Sequence, residues 1–221
     1  MFTTPGTPNL ADFATFVTQQ GVPPANLPSG SLTTVSIATS GALTAASASG
    51  TVEVGMILYG TGVTNPTYLT AWNGTTLAGT VSPAPTAAIN ATTLTTYSEF
   101  LWWAFAQAQD RVRETCSNLY VLAVYNLGMH LLMSFAIDPQ GVTPWFTPQN
   151  QNGQFVRRYN LDNFTGGVIQ TGADQNTSQT VAVPELLKNL SLSNLEELKT
   201  PWGRKYLGYA QNYGPYEVGM T

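Results

Sequence analysis

Charged side chains are scarce in this sequence, at 9% of 221 residues, against about 25% in an average soluble domain. All eight Lys and Arg residues lie after position 110, and they form no basic run. Tight binding of nucleic acid depends on basic residues that neutralise phosphates and release counterions. The net charge of −4 therefore excludes a strongly DNA-binding surface, although it allows DNA to pass close by without adhering.

Cysteine and histidine occur once each, as Cys116 and His130. A single cysteine excludes an internal disulfide framework and a thiolate metal site, and it is compatible with a reducing cytosol. A metal centre needs several convergent ligands, and neither a second histidine nor a cluster of carboxylates supplies them. We therefore expect no metal and no cofactor, and we expect Cys116 to be a small buried apolar residue.

No motif of an active site is present. His130 lies in an apolar helical stretch, where we expect a satisfied core or interface residue, and no Gly-x-Ser-x-Gly turn is present to offer a nucleophile. Asp110 and Glu114 are four residues apart beside Arg111 and Arg113, which is the spacing of a solvated ion-pair face on a helix. We therefore predict that the protein is not an enzyme.

The N-terminal residues show no basic segment followed by an apolar one, so we expect no secretory signal. The longest apolar run, residues 119–137, has 19 residues, which is the length at which a membrane span must be considered. Asn126, Gly128, His130 and Ser134 interrupt this run, and no Lys or Arg flanks its far end. We therefore predict a buried helix and no membrane association.

The segment from Tyr97 to Ile137 has the strongest helical pattern, with apolar residues recurring every three or four positions. Ser117 and Asn118 are good N-cap residues near its middle, so a helical hairpin is predicted in preference to one 41-residue helix. The second helix is apolar almost all round and needs cover on both sides, from its own chain or from another subunit. A short amphipathic helix is also predicted at residues 9–20, before a proline-rich linker.

The segment from Ser31 to Thr95 differs in composition, because it is rich in Thr, Ser, Ala, Gly and Val and carries only one charge, Glu53. Short alternating stretches broken by glycine-rich or Asn-Gly turns are typical of β-strands. We predict four strands here, within residues 33–39, 52–59, 68–72 and 87–94. They form a β-rich module inserted into a helical domain made of residues 1–30 and 96–221. Residues 166–171 and 178–183 are predicted to pair as a short β-hairpin.

The C-terminal segment carries the most informative pattern. A helix is predicted to start at Pro201 with Thr200 as its N-cap. Four aromatic residues then share one face of this helix: Trp202, Tyr206, Tyr209 and Tyr213. Such a stripe is either an ordinary part of the core or a docking face for a partner subunit. Gly214 and Pro215 end the helix, which leaves a tail beginning at Tyr216 that can dock elsewhere.

Three phrases of the sequence resemble one known family. Thr200-Pro201-Trp202-Gly203-Arg204-Lys205-Tyr206-Leu207 is similar to the Thr-Pro-Tyr-Gly-Arg-x-Tyr/Phe-Leu signature of head-to-tail adaptor (connector) proteins of tailed bacteriophages. Gly128-Met129-His130-Leu131-Leu132 resembles the end of the family's second helix, and Ala11-Asp12-Phe13 fits its first. The resemblance covers roughly residues 8–20 and 97–213. Gly128 stands where the family has Ala, Trp202 stands where it has Tyr, and the β-rich module is additional.

This resemblance implies an α+β fold: a small helical bundle, made of an N-terminal helix, a central helical hairpin and a C-terminal helix, with the inserted β-rich module and the short β-hairpin. It also implies a virion structural protein of the neck, made in the host cytoplasm, that assembles as a homo-oligomeric, twelvefold ring. The ring joins the portal protein to a tail or neck protein and lines the channel through which DNA passes without specific binding. The residues expected to hold the portal are Trp202, Arg204, Tyr206, Tyr209, Tyr213 and Tyr216.

Two alternatives remain open at this point. A tail-completion or capsid decoration protein would share the low charge and the β-rich module, but it would bind tail or capsid proteins in preference to the portal. A carbohydrate-binding or hydrolytic surface module would instead use Trp72 and Trp145 as platforms for sugar rings.

Overall fold

The structure is a computed structural model that describes residues 6–64, 66–112, 119–161, 171–174, 177–180 and 196–212. Within these ranges the chain forms four α-helices and nine β-strands. The helices are α1 (Leu10–Gln19), α2 (Glu99–Arg111), α3 (Tyr120–Phe135) and α4 (Pro201–Asn212). The strands are β1 (Ser29–Ile37), β2 (Ala42–Thr44), β3 (Ser47–Gly50), β4 (Ile57–Tyr59), β5 (Thr67–Asn73), β6 (Ala78–Ser82), β7 (Ile89–Tyr97), β8 (Thr171–Asp174) and β9 (Thr177–Thr180).

The first seven strands form one antiparallel sheet that closes on itself. Its strand order is β2-β6-β5-β4-β7-β1-β3, and β2 also pairs with β1. That extra pairing joins the two ends of the order, so six strands form a closed barrel. The seventh strand, β3, pairs with the first half of β1, from Gly30 to Thr33. β2 pairs with the second half of the same edge of β1, at Ser36 and Ile37. Closure gives the six barrel strands neighbours on both sides.

Aliphatic side chains fill the interior of the barrel. A bulge in β1 contributes to this packing, because the register with β7 shifts between Leu32 and Val35 while Thr34 has a φ of 49°. Residues three apart on a regular strand point to opposite faces, whereas the extra residue of a bulge lets both point inward. The buried residues of this cluster are Leu32, Val35, Ile37, Leu43, Leu58, Leu69, Val81, Ile89 and Leu94.

The prediction of a small helical bundle with a minor β insert is wrong. The chain is β-rich, with a closed six-stranded barrel and a seventh strand beside four helices. The sequence pattern missed β2, β3 and β6, because each of them buries at most one residue and therefore shows no apolar alternation. It also shortened β1 and β7, which extend to Ser29 and Tyr97 through Ser, Thr and Gly.

The helices pack around a second core that is rich in aromatic rings. The Tyr125 ring on α3 lies 5.6 Å from Phe13, 5.7 Å from Phe16 and 6.4 Å from Phe105, measured between ring centroids. Gly128 permits this close contact, because a Cβ there would stand 2.9 Å from the Phe13 ring. The family resemblance leads one to expect Ala at this position, and the Phe13 ring takes the space that its methyl group would need.

The predicted helices are found in the described residues. The helix predicted at residues 9–20 is confirmed as α1, with the Asn9 side chain accepting a hydrogen bond from the Asp12 N–H at 2.8 Å. The long helical segment is divided into α2 and α3, as predicted. Cys116, Ser117 and Asn118 lie outside the described residues.

Asp138 holds the loop that follows α3. Its carboxylate accepts hydrogen bonds from the backbone N–H groups of Trp145, Phe146 and Thr147 at 3.0–3.1 Å, and from the Asn26 side chain at 2.7 Å. Burial alone would raise the pKa of Asp138, but these hydrogen bonds to the charged form outweigh it and lower the pKa. These hydrogen bonds hold the loop so that Phe146 lies in the helical core. The contact with Asn26 also joins the loop to the linker that precedes the barrel.

The short hairpin is present, but its register differs from the prediction. β8 pairs with β9 from Thr171↔Thr180 to Asp174↔Thr177, so residues predicted as a turn belong to the first strand. The barrel strands lie within residues 29–97, and the division of the chain into an inserted module and a helical domain stays a prediction. None of the helices in the described ranges is both long and apolar enough to cross a membrane.

Candidate functional site

The first turn of α4 is built by residues of the family-like signature. Thr200 Oγ1 accepts a hydrogen bond from the Gly203 N–H at 2.9 Å, as an N-cap does. Pro201 occupies the first helical position, where its missing N–H leaves no partner unsatisfied. Gly203 has no room for a side chain, because a Cβ there would collide with the carbonyl oxygen of Glu197. Capping and packing therefore explain three positions of the signature, and the predicted helix start is confirmed.

The Trp202 side chain packs the start of α4 against the helical core. Its side chain is 6% exposed, and its indole N–H donates a hydrogen bond to the Gln20 side chain at 2.9 Å. The Tyr159 ring meets it edge to face, with 5.7 Å between centroids. Tyr206 and Tyr209 are half-buried against the same core. The described part of the aromatic stripe thus packs largely inward.

The predicted partner-binding residues fall into three groups. Trp202 is buried, and Tyr206 and Tyr209 are half-buried. Arg204 is exposed, and its guanidinium donates a hydrogen bond to the Leu198 carbonyl at 3.1 Å. Tyr213 and Tyr216 lie outside the described residues. Among the residues of α4 whose burial is described, the exposed ones are Arg204, Lys205, Gly208 and Gln211.

A cavity of about 240 Å³ lies where α3 meets the segment that leads into α4. Sequence reasoning did not predict it, because the described residues of its walls come from four separate parts of the chain. Its lining residues are Arg111, His130, Leu131, Ser134, Leu161, Glu196 and Glu197.

An ion pair between the exposed Arg111 and the buried Glu197 forms one wall of this cavity. Arg111 Nη2 lies 2.6 Å from Glu197 Oε1, and the two side chains are 42% and 2% exposed. Burial raises the pKa of the Glu197 carboxyl, while the Arg111 charge and hydrogen bond oppose that rise. Among the described residues, Glu197 Oε2 has no hydrogen-bond partner. A buried acceptor without a donor lowers the free energy of unfolding, because its desolvation is not compensated by a hydrogen bond.

His130 lies beside this pair and is neutral. The residue is 4% exposed, and its Nδ1 lies 2.9 Å from Thr200 Oγ1. The Thr200 hydroxyl, which also accepts the Gly203 N–H, can donate to Nδ1 or accept from it, so this contact fits either neutral tautomer of the ring. Burial, assisted by the Arg111 charge, lowers the pKa of His130 to about 4. His130 is therefore a buried, hydrogen-bonded histidine, as its place in the apolar helix predicted.

Arg111, one member of the predicted ion-pair face, makes a long-range contact, while Arg113 of that face lies outside the described residues. Arg111 was expected to pair locally with Asp110 and Glu114, but it bonds Glu197, which is 86 residues away. Glu114 lies outside the described residues. No periodic pattern around Glu197 signals that its side chain is buried, so the sequence offered no means of finding this pair.

The two tryptophans proposed as sugar platforms are partly covered. The Arg158 guanidinium lies over the Trp145 ring at 4.7 Å from its centroid, and Phe146 meets that ring edge-on at 5.0 Å. Trp72 packs against the aliphatic core of the barrel. A sugar ring needs an open aromatic face for stacking, so this arrangement gives the carbohydrate alternative little support.

Within the described ranges, no group of three or more His, Cys, Asp or Glu residues is placed to hold a metal ion. No protein-family model, curated protein or solved structure matches this chain.

Proposed function

We propose that this chain is a virion structural protein of a tailed bacteriophage, which forms a ring between the portal and the tail. One observation carries the proposal: the eight-residue signature forms a single docked element at the start of α4. Thr200 caps it, Gly203 lies against the Glu197 backbone, and Trp202 enters the helical core.

The placement of these side chains refines the predicted portal contact. Trp202 is buried and positions α4, so its role in binding is indirect. Arg204 and Lys205 are the exposed cations on this helix, and they lie beside the half-buried Tyr206 and Tyr209. We therefore assign the direct contact with the portal to Arg204 and Lys205, together with the exposed edges of the two tyrosines.

The charge distribution is compatible with this role. Strands β1 to β7 carry no Asp, Glu, Lys or Arg residue, so the barrel can stand close to neighbouring subunits without charge repulsion. The net charge of −4 suits a channel that DNA crosses without binding. The barrel then projects from the ring, where it decorates the neck or contacts capsid or fibre proteins.

The deciding experiment mixes the purified chain with the portal ring of its parent particle and reads stoichiometry by native mass spectrometry or single-particle imaging. We expect a stable complex with about one copy per portal subunit. Lys205→Ala and Arg204→Ala are each expected to weaken binding about tenfold, as loss of one charge-assisted contact does. Ser49→Asp, on the exposed strand β3, changes net charge by the same amount and is expected to leave binding unchanged.

The alternative structural roles predict a different partner. If the chain does not bind the portal but binds tail tubes or capsid faces, it belongs to the tail-completion or capsid decoration class. Glycan binding without any protein partner would contradict both structural assignments.

A further inference from the structure

The outer face of α2 presents a tryptophan between two exposed polar residues. Trp103 is 40% exposed, and the exposed Glu99 and Gln107 lie one turn before it and one turn after it. The Trp103 indole N–H donates a hydrogen bond to Glu99 Oε1 at 2.9 Å, and the Trp102 ring meets the indole edge to face at 4.9 Å between centroids. These contacts hold the indole in one orientation, as an apolar projection beside a carboxylate.

The outer face of α4 has a notch at Gly208. A Cβ at Gly208 would meet no atom within 4 Å, so this glycine, unlike Gly203, is not required by packing within the chain. Glycine in the interior of an exposed helix destabilises it relative to alanine, and close approach of another surface is a physical reason for its presence. Arg204 lies one turn before Gly208 and Gln211 one turn after it, and both are exposed.

The two faces match in spacing, shape and charge. Glu99 precedes Trp103 by four residues, as Arg204 precedes Gly208, and four residues span about 6 Å along a helix axis. When α2 of one copy lies along α4 of another in the same direction, the indole enters the notch while Glu99 meets Arg204. The Arg204 guanidinium donates one hydrogen bond within its own chain, which leaves further N–H groups for the carboxylate.

We propose that α2 of one copy of this chain docks on α4 of a second copy, with Trp103 in the notch at Gly208 and Glu99 paired with Arg204. The two faces come from different parts of the chain, so the contact is head to tail, and each member of a pair keeps one free face. Because Arg204 is also assigned to the portal, the two contacts exclude each other and the portal displaces the second copy. That exclusion rests on the proposed function, whereas the contact between copies does not.

The first test measures self-association of the isolated full chain by sedimentation velocity, at concentrations up to about 500 µM. We expect dimers and longer chains with a Kd of about 50 µM, because one tryptophan and one exposed ion pair stabilise only a weak contact. Salt screens the ion pair, so raising NaCl from about 50 mM to about 500 mM should weaken association several-fold. A chain that stays monomeric at about 500 µM overturns the proposal.

A mixing experiment shows whether the contact is head to tail. Trp103→Ala removes the projection but leaves α4 intact, and Gly208→Gln fills the notch but leaves α2 intact. Each variant alone should self-associate at least about tenfold more weakly than the parent chain. An equimolar mixture should form a heterodimer and no larger species, because one intact face of each kind remains. A mixture that stays monomeric overturns the proposal.

Gly208→Gln also separates docking from folding. A side chain there meets no atom of its own chain within 4 Å, and glutamine is a better helix former than glycine. The variant should therefore melt at the same temperature as the parent chain or a higher one, although it self-associates more weakly. Weaker association that comes only with a lower melting temperature contradicts the docking role of the notch.

Charge reversal tests the ion pair. Glu99→Lys and Arg204→Glu should each weaken self-association about tenfold, and a chain with both changes should recover most of it, because the pair forms again with opposite signs. Glu53→Lys makes the same charge change on an exposed residue of the barrel region and should have no effect. Equal weakening by Glu53→Lys and Glu99→Lys overturns the proposal. These measurements use the isolated chain, so failure to bind the portal leaves the contact between copies unaffected.

Discussion

The barrel and the helical region bury apolar side chains in different ways. The barrel interior contains only Leu, Val and Ile, whereas the helical core holds aromatic rings from all four helices and from the loop after α3. Buried polar groups also differ: the barrel strands bury only threonine hydroxyls, while the helical region buries Asn26, Asn126, His130, Glu197 and Thr200. Aliphatic packing with small polar groups suits a rigid scaffold. Specific buried hydrogen bonds fix the position of individual elements, here the docking of α4.

The largest expected effect tests the aromatic core. Phe13→Ala removes the ring that contacts Phe105, Tyr125 and Gly128, and it should lower the free energy of unfolding by about 4 kcal/mol. Urea unfolding followed by tryptophan fluorescence measures this, because four of the five tryptophans lie outside the barrel segment. Phe13→Leu, which keeps most of the volume, should cost less than half as much. Equal losses for the two variants would contradict the assigned packing.

The matching barrel variant sharpens the comparison. Leu94→Ala opens a cavity among aliphatic side chains and should lower the free energy of unfolding by about 3 kcal/mol. Thr93→Ala changes the exposed neighbour on the same strand and should change it by less than about 0.5 kcal/mol. The two cores also contain different residues, so Leu94→Ala should leave the near-ultraviolet circular dichroism of the helical aromatic cluster unchanged under native conditions. A collapse of that signal before unfolding would show that the two regions do not hold their structure separately.

The smallest expected effect is the pH dependence of stability that comes from His130, a buried titratable group of a kind that the barrel strands lack. His130 has a pKa of about 4 in the folded protein, below its ordinary value of 6.5. Between these values the unfolded chain binds a proton that the folded chain does not, so stability is complete above pH 6.5 and falls as the pH drops towards 4. The loss should be about 2 kcal/mol. Comparing urea unfolding of the parent chain and His130→Gln at pH 7 and pH 4.5 measures it, and the variant should lack this component. A parent chain with the same pH dependence as the variant would show that His130 is not buried neutral.

How far the sequence predicted the structure depended on the range of the interactions involved. α1 and the start of α4 follow from local signals: apolar spacing in the first case, and Thr200 with Pro201 in the second. The barrel did not follow, because strands such as β3 bury no residue and exist only through pairing with β1. The candidate cavity could not be predicted from the sequence for a related reason, because Arg111, Ser134 and Glu197 come from distant parts of the chain. The alternative that the aromatic stripe belongs to the core agrees with the burial of Trp202.

By itself the sequence determined the low charge, the single histidine within an apolar helix, and the positions of the helices, because composition and helical periodicity are local properties. It also carried the eight-residue phrase that motivates the proposed function. Only the tertiary structure decided that the strands close into a barrel, that Trp202 faces inward, and that Arg111 meets Glu197 across 86 residues. Strand register and buried pairing depend on which distant segments come together, and the energy of that choice is not contained in any short stretch of sequence.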